Sequence, residues 1–561
     1  MQKIIIYQVL TRLFGNTNRN NVQNGTIEEN GCGKMNDFTT KALQEIKELG
    51  ISHIWYTGII EHATTTDYSQ YHIESDFHEV IKGKAGSPYA IKDYYDVCPD
   101  LAEDVNHRMG EFGSLVKRTH DANLKVIIDF IPNHLARHYI SDSKPDQIID
   151  FGKDDDTSVN FHINNNFYYL PGETFDGPVT AKNKNHLIEN PAKVTGNDCI
   201  SAKPGINDWY ETVKLNYGIN IFDGSKHFDP IPDTWNKMLQ VLLYWADKNI
   251  DGFRCDMAEM VPVEFWHWAI PEVKKRYPKI IFIAEVYNPD LYRQYITYGG
   301  FDFLYDKVGM YDTLKLIMQG HQQPSAITKA WDVLNGIHQH MLFFLENHDE
   351  QRIASPFFAG EAQKSIPAMI ISGTMYSNPL MIYFGQELGE EGMDEEGFSG
   401  KDGRTTIFDY WGVNLYQDWV NEKSFDGAGL PQSANDLRSW YKTFLNIALT
   451  NDTLKNGKFY DLMWANEDND NFDSNCLYAF LRYYNDKILL VVVNFSNEKV
   501  KCRIKIPPHA FFTMGVESAR FFKGIDILGG KNKISFPKDV AISNGLGVKV
   551  KPYSGRIYEL S

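Results

Sequence analysis

Three acidic segments follow one another along the chain: Asp251-Gly252-Phe253-Arg254-Cys255-Asp256, Phe282-Ile283-Ala284-Glu285 and Leu345-Glu346-Asn347-His348-Asp349. In each, a run of apolar and β-branched residues ends in a carboxylate, the pattern of a buried parallel strand whose C-terminal tip opens into a site. Cleavage of a glycosidic bond needs one carboxylate to attack or stabilise the sugar cation and one carboxylic acid to protonate the leaving oxygen. Asp256, Glu285 and Asp349 supply both and one more. Any one of these acids alone reads more simply as a solvent-facing strand cap. Three in order, with an arginine and a histidine beside them, read as chemistry. Arg254 and Asp256 lie two apart on a strand and point the same way, so the guanidinium is expected to hold the carboxylate ionised and lower its pKa. His348 can reach a substrate hydroxyl from the tip that carries Asp349; alone it would read as a structural histidine. A fourth segment, Asp129-Phe130-Ile131-Pro132-Asn133-His134, closes an earlier apolar run with the same kind of polar group.

These tips need a scaffold. Eight strand-like runs occur in order: Lys3–Leu10, His53–Ile60, Val126–Pro132, Gly252–Asp256, Ile280–Val286, Phe301–Tyr305, Met341–Leu345 and Pro379–Phe384. Amphipathic stretches such as Thr39–Leu49 (stopped by Gly50), Phe112–Ala122 and Asp233–Lys248 lie between them. Strand alternating with helix eight times predicts a (β/α)₈ TIM barrel, in which function sits at the C-terminal strand tips. The barrel is expected in two parts, residues 1–133 and 221–450. The interval 134–220, rich in Asn, Asp, Gly, Pro and Tyr, is too long for a connecting loop and is expected to be an inserted domain. From residue 451 to 561 the helical pattern gives way to alternating runs, notably Cys476–Tyr484 and Lys487–Asn494 across an Asn485-Asp486 turn, then Lys501–Ile506. This predicts a C-terminal antiparallel β-sandwich domain.

Composition narrows the function. A chain of 561 residues implies more than one domain. A net charge of −17 argues against nucleic acid, whose phosphates demand a basic face. Aromatic residues make up 14 % of the chain, enough to offer flat faces to sugar rings, although most serve packing. The cysteines Cys32, Cys98, Cys199, Cys255, Cys476 and Cys502 have no CxxC spacing and read as free thiols of a reducing compartment. The opening run, Met1 to Leu10, reads as a first β-strand rather than a signal peptide, and no stretch is long enough to span a membrane. The expectation is a cytoplasmic enzyme, against the alternative of an exported one, periplasmic or secreted, whose signal has been trimmed.

With these residues in hand, the chain resembles the α-amylase superfamily, glycoside hydrolase family 13, over essentially its whole length. The signature regions of that family are matched by Asp129 to His134, Asp251 to Asp256, Ala284-Glu285-Val286, Glu346 to Asp349, and Pro379 to Glu387. The resemblance implies a catalytic barrel, a domain B after the third strand and a C-terminal β-sandwich. It makes Asp256 the nucleophile, Glu285 the general acid/base and Asp349 the transition-state stabiliser. It makes Arg254 the residue that orients the nucleophile, His134 and His348 binders of sugar hydroxyls, and Tyr89 the stacking floor of the cleaved subsite. Asn133 matches a calcium ligand of the family, and Gly15 to Asn21 is a loop where several relatives bind calcium, so structural Ca²⁺ is an implied cofactor. Oxygen-rich loops suit that ion, though this one has few carboxylates.

Three departures bear on specificity. Ala90 stands where relatives that clamp a chain end carry an aspartate. Lys214-Leu215-Asn216 is similar to a segment of neopullulanase-like and cyclomaltodextrinase-like members. Met257-Ala258-Glu259-Met260 lacks the Lys-His pair of many α-amylases, placing Glu259 for lysine on the leaving-group side and Met260 where a histidine carbonyl would bind calcium. The expected activity is retaining, endo-type hydrolysis of α-1,4-glucosidic bonds in maltooligosaccharides and starch-type glucans. The alternative is an α-glucan transglycosylase, or a cyclomaltodextrinase or neopullulanase, using the same residues. A non-catalytic relative would have lost part of the Asp256, Glu285, Asp349 set. A metal-dependent barrel hydrolase would show a His-x-His or bridging-carboxylate cluster at the tips, and the sequence has none.

Overall fold

In the computed structural model, which describes residues 3–178, 186–530 and 532–561, all eight runs pair into one closed parallel barrel. The strands are β1 (Ile5–Leu10), β2 (His53–Thr57), β3 (Lys125–Phe130), β4 (Gly252–Cys255), β5 (Ile281–Ala284), β6 (Phe303–Tyr305), β7 (Met341–Phe344) and β8 (Leu380–Tyr383). Each neighbours the next in sequence, and β8 closes against β1 in the register Ile5↔Leu380. The runs are continuous rather than alternating because both faces are covered: Val126, Ile127 and Ile128 are all buried, against the barrel interior and the helical shell in turn. Each such side chain stabilises the fold by about 1.5–3 kcal/mol.

Several expected strands are shorter than their apolar runs. The second ends at Thr57 instead of Ile60. Gly58, at φ +85°, turns the chain through a conformation that side chains resist. Ile60–His62 then starts a separate hairpin with Ile91–Val97. Tyr89 lies between the two strands, two residues before the second one begins. The predicted helix at Thr39–Leu49 runs Thr40–Glu48, its Thr39 hydroxyl accepting from the Ala42 N–H and Gly50, at φ +103°, ending it. The helix expected from Phe112 begins four residues earlier, at Arg108. Gly110 and Gly113 hide that start from a propensity reading, yet both face open space and cost no contact.

Among the described residues of 134–220 there is no helix. His134–Ala136 pairs with Thr212–Lys214, and Tyr169–Leu170 with Ala192–Lys193. Tyr168, Leu170, Ala192, Val194 and Ala202 form a small apolar cluster of their own. Beyond the barrel, a six-stranded antiparallel sheet includes Leu477–Tyr484, Lys487–Asn494 and Ser554–Leu560. A two-stranded sheet, Val500–Ile504 with Leu546–Val550, packs beside it. Buried Arg482 ties that sheet to the barrel by donating to the carbonyls of Thr374, Leu454 and Gly457. No helix of the described residues is long and apolar enough to cross a membrane.

Candidate active site

Strand β4 delivers Arg254 into the barrel, where it is 1 % exposed, and the chain places Asp256 just past the tip. Met257 follows at φ +42°, a left-handed conformation uncommon for a side-chain-bearing residue. This sharp turn aims the Met257 N–H at Glu285 Oε2, 2.8 Å away. Glu285 sits one residue beyond β5, in register with the start of that turn. One guanidinium serves both acids. Arg254 Nη1 donates to Asp256 Oδ1 at 2.6 Å, and Nη2 stands 2.7 Å from Glu285 Oε1. Beneath, Nε donates to the Tyr305 hydroxyl at 3.3 Å, and Asp129 lies 3.6 Å from Nη1. The Trp55 indole N–H donates to Asp129 at 2.9 Å.

Strand β7 leads into His348 and Asp349. The His348 ring is held between the Gln8 amide, 2.8 Å from Nδ1, and the Tyr89 hydroxyl, 2.6 Å from Nε2. The Tyr89 and His348 rings stack with centroids 5.1 Å apart. Asp349 Oδ2 is 3.1 Å from His348 Nε2.

Asp256, Glu285, Asp349, Tyr89, His134 and His348 line one pocket of about 320 Å³. Arg254 does not line it but lies under its floor, and Asn133 is buried to one side. Sequence reasoning missed Lys82, Trp209, Glu211, Tyr287, Ile407 and Phe408, which complete the walls. Lys82 and Glu211 form a buried ion pair at 2.9 Å, and Trp209 packs on His134. The Tyr287 hydroxyl donates to Glu285 Oε1 at 2.6 Å. Only Tyr287, two residues after a strand-tip acid, carried a signal that a period-two reading could have found. Glu259, expected to alter the leaving-group side, instead accepts from the Tyr287 and Asn288 N–H groups and holds their turn in place.

Burial dominates the electrostatics. Asp256 is pushed above the usual carboxylate range by burial, with Arg254 pulling the other way. Arg254 lowers it, as its spacing from Asp256 leads one to expect, but desolvation of the carboxylate outweighs one shared guanidinium and the net shift is upward. Glu285 is raised by burial and then by the negative charge of Asp256, while Arg254, Tyr287 and the Met257 N–H oppose this. Asp349 is raised to about 8, by its depth first and by Glu285 second. Yet 43 % of its side chain faces the pocket, and water there moderates the shift. His134 is pushed down to about 3 by burial and by Lys214, and His348 falls well below its ordinary value through burial and Arg254. Both shifts favour the neutral imidazole.

The implied calcium does not fit at Asn133. Asn133 Oδ1 accepts from the Lys214 ammonium at 2.6 Å, the same ammonium lies 3.4 Å from the Met260 carbonyl, and Asp198 pairs with it at 2.9 Å. The oxygens that would coordinate a dication are gathered around a lysine. The Asn-rich loop is equally committed: Asn16 donates to the Asn30 and Trp411 carbonyls, and Asn21 both donates to and accepts from the Gly412 backbone.

A family profile described as alpha amylase, catalytic domain, matches residues 8–428. The chain belongs to the alpha-amylase family. Alpha-amylase 3 of Dictyoglomus thermophilum is 24 % identical over 532 residues, covering 88 % of this chain and 87 % of that one. A cyclomaltodextrinase of Thermoanaerobacter pseudethanolicus is 21 % identical, over 88 % of this chain and 70 % of its own. Among solved structures, the noncanonic maltogenic alpha-amylase AmyB of Thermotoga neapolitana superposes with a TM-score of 0.62 at 18 % identity, covering 99 % of this chain and 98 % of its own. The chain is thus an alpha-amylase-family glycoside hydrolase or transferase on a (β/α)₈ barrel.

Proposed function

We propose that this alpha-amylase-family chain is a retaining glycosidase that cleaves α-1,4-glucosidic bonds of maltooligosaccharides. The observation that carries this reading is the sharing of Arg254 by Asp256 and Glu285. The two terminal nitrogens of one guanidinium, 2.6 Å from Asp256 Oδ1 and 2.7 Å from Glu285 Oε1, hold the carboxyls close together. Such closeness supports a retaining pair over an inverting pair, whose carboxyls stand about 6.5–9.5 Å apart with a water between acid and base. Asp256, in contact with the guanidinium, attacks the anomeric carbon. Glu285, raised in pKa, protonates the departing oxygen and then, as base, activates the water that hydrolyses the glycosyl ester. Asp349 and the neutral His134 and His348 hold sugar hydroxyls as the ring distorts, and Tyr89 supports its apolar face. Arg254 acts through Asp256 and Glu285 by fixing where their charge sits.

Ala90 is buried and places no carboxylate at the glycone end, which supports cleavage within a chain. Six free thiols support a cytoplasmic site of action on imported oligosaccharides. Chromatography of products from maltoheptaose, cyclodextrin, pullulan and starch tests the assignment. Early products of mixed length support internal cleavage, glucose released one unit at a time overturns it, and products longer than the substrate indicate transfer. No product from any of the four removes the assignment.

A further inference from the structure

The strand pair that flanks Tyr89 carries a second acidic cluster that the chemistry above does not use. Glu61 lies on the strand Ile60–His62, Asp93 and Asp96 on its partner Ile91–Val97, and Asp142 at the start of the 134–220 insert. One oxygen from each lies within 4.8 Å of all the others. Two oxygens on opposite sides of a calcium ion, each at about 2.3–2.6 Å, are separated by about that much. Glu61, Asp93 and Asp96 are buried at 2 %, 0 % and 3 % exposure, while Asp142 is exposed and offers a way in.

Three of these acids have partners. Asp93 accepts from the Tyr95, Asp142 and Ser143 N–H groups and from the Ser141 hydroxyl. Asp96 is paired with Arg108 and accepts from the Ser143 hydroxyl. Asp142 Oδ1 lies 3.2 Å from the same hydroxyl, which has one proton to share between the two acids. Glu61 differs. Its Oε2 is buried with no hydrogen-bond partner, and its ion-pair partner Lys92 stands 3.8 Å from Oε1, beyond hydrogen-bond reach. Lys92 is occupied by the Glu74 carbonyl and by Asp76. Burial, then the charges of Asp93, Asp96 and Asp142, raise the Glu61 carboxyl well above its ordinary range, against the pull of Lys92. A buried carboxyl facing three other acids without a donor requires either a proton or a cation.

We propose that Glu61, Asp93, Asp96 and Asp142 bind one divalent cation of the calcium class. The ligand set is all oxygen, its size is that of a single calcium shell, and two nearby cations leave the four carboxyls short of compensation. The ion fastens the start of the insert, through Asp142, to the strand pair that flanks Tyr89. It thereby braces two walls of the pocket from outside.

The test uses the full chain, stripped with EDTA and desalted, with CaCl₂ titrated against melting temperature and Tb³⁺ luminescence as a direct binding probe. Calcium is expected to raise the Tm and to displace terbium. Glu61→Gln and Asp142→Asn should each weaken calcium binding by about tenfold or more. Because Glu61→Gln removes a repelling charge, its metal-free Tm should equal or exceed that of the unsubstituted protein, which separates lost binding from lost folding; exposed Asp142→Asn serves as the second check. If neither ion affects the unsubstituted protein, or if either variant responds to calcium as it does, the proposal fails. Calcium insensitivity together with a raised Tm in Glu61→Gln would mean that Glu61 simply holds a proton.

Discussion

The Lys214 ammonium lies 2.6 Å from Asn133 Oδ1 and occupies the place where the sequence resemblance puts a calcium ion. Strand pairing His134↔Lys214 brings it there, so the Lys214 side chain pins the insert to the end of β3. The next residue is His134, which lines the pocket, and its position therefore depends on this contact. Lys214→Met keeps the apolar stem but strands a buried acceptor. It is expected to cost about 1–3 kcal/mol, read as a lowered urea midpoint, with kcat/KM reduced because His134 shifts. An unchanged midpoint would show that the ammonium contributes nothing there.

Asp256→Asn and Glu285→Gln should each lower kcat by about 10²–10⁴-fold or more while the fold persists. Each substitution removes one negative charge from a buried group of acids that share Arg254, so the melting temperature should not fall. Proton NMR of the first-formed product on an α-1,4-glucan should show the α-anomer, the outcome of two displacements. A β-anomer would overturn the proposed mechanism.

How much of this was legible in the sequence follows from where each residue lies. Asp256, Glu285 and Asp349 could be found because each closes an apolar run, and a parallel barrel makes every such end part of one rim. Lys82, Trp209 and Phe408 could not: they come from three loops far apart in the chain, with no periodicity to mark them, and only the barrel's closure and the insert's fold bring them to one pocket. The direction of the Asp256 shift was also out of reach. Residue spacing reveals that Arg254 is beside it, but not that both lie in a site deep enough for desolvation to win. The calcium expectation at Asn133 failed for a related reason. A ligand position can be matched by residue type, whereas the lysine that fills it arrives from residue 214 through a strand pairing the sequence does not mark.

Tyr287 gives a pH-dependent test. Its hydroxyl donates to Glu285 and favours the ionised carboxylate, so it holds the Glu285 pKa down against burial. Glu285 must be protonated to act as acid, and activity is therefore lost as pH rises through its pKa. Tyr287→Phe removes the donor, raises that pKa, and should move the alkaline limb of the kcat profile upward by about one pH unit. A purely structural tyrosine would lower kcat or Tm and leave the limb in place.

Tyr89 separates stacking from hydrogen bonding. A floor that needed only its ring would make Tyr89→Phe nearly silent. Here the hydroxyl also meets His348 Nε2 at 2.6 Å, and His348 is buried too deeply for water to replace that partner freely. Tyr89→Phe is therefore expected to lower kcat/KM by about three- to tenfold, the equivalent of one buried hydrogen bond. Tyr89→Ala, which also removes the ring stacked on His348, should lower it by at least another order of magnitude. Steady-state kinetics on maltoheptaose with both variants, alongside their melting curves, decides the matter. Equal kinetics for Tyr89→Phe and the unsubstituted enzyme would leave the ring as the only contribution, and a fallen Tm with normal kinetics in Tyr89→Ala would make Tyr89 a packing residue instead of a floor for the sugar.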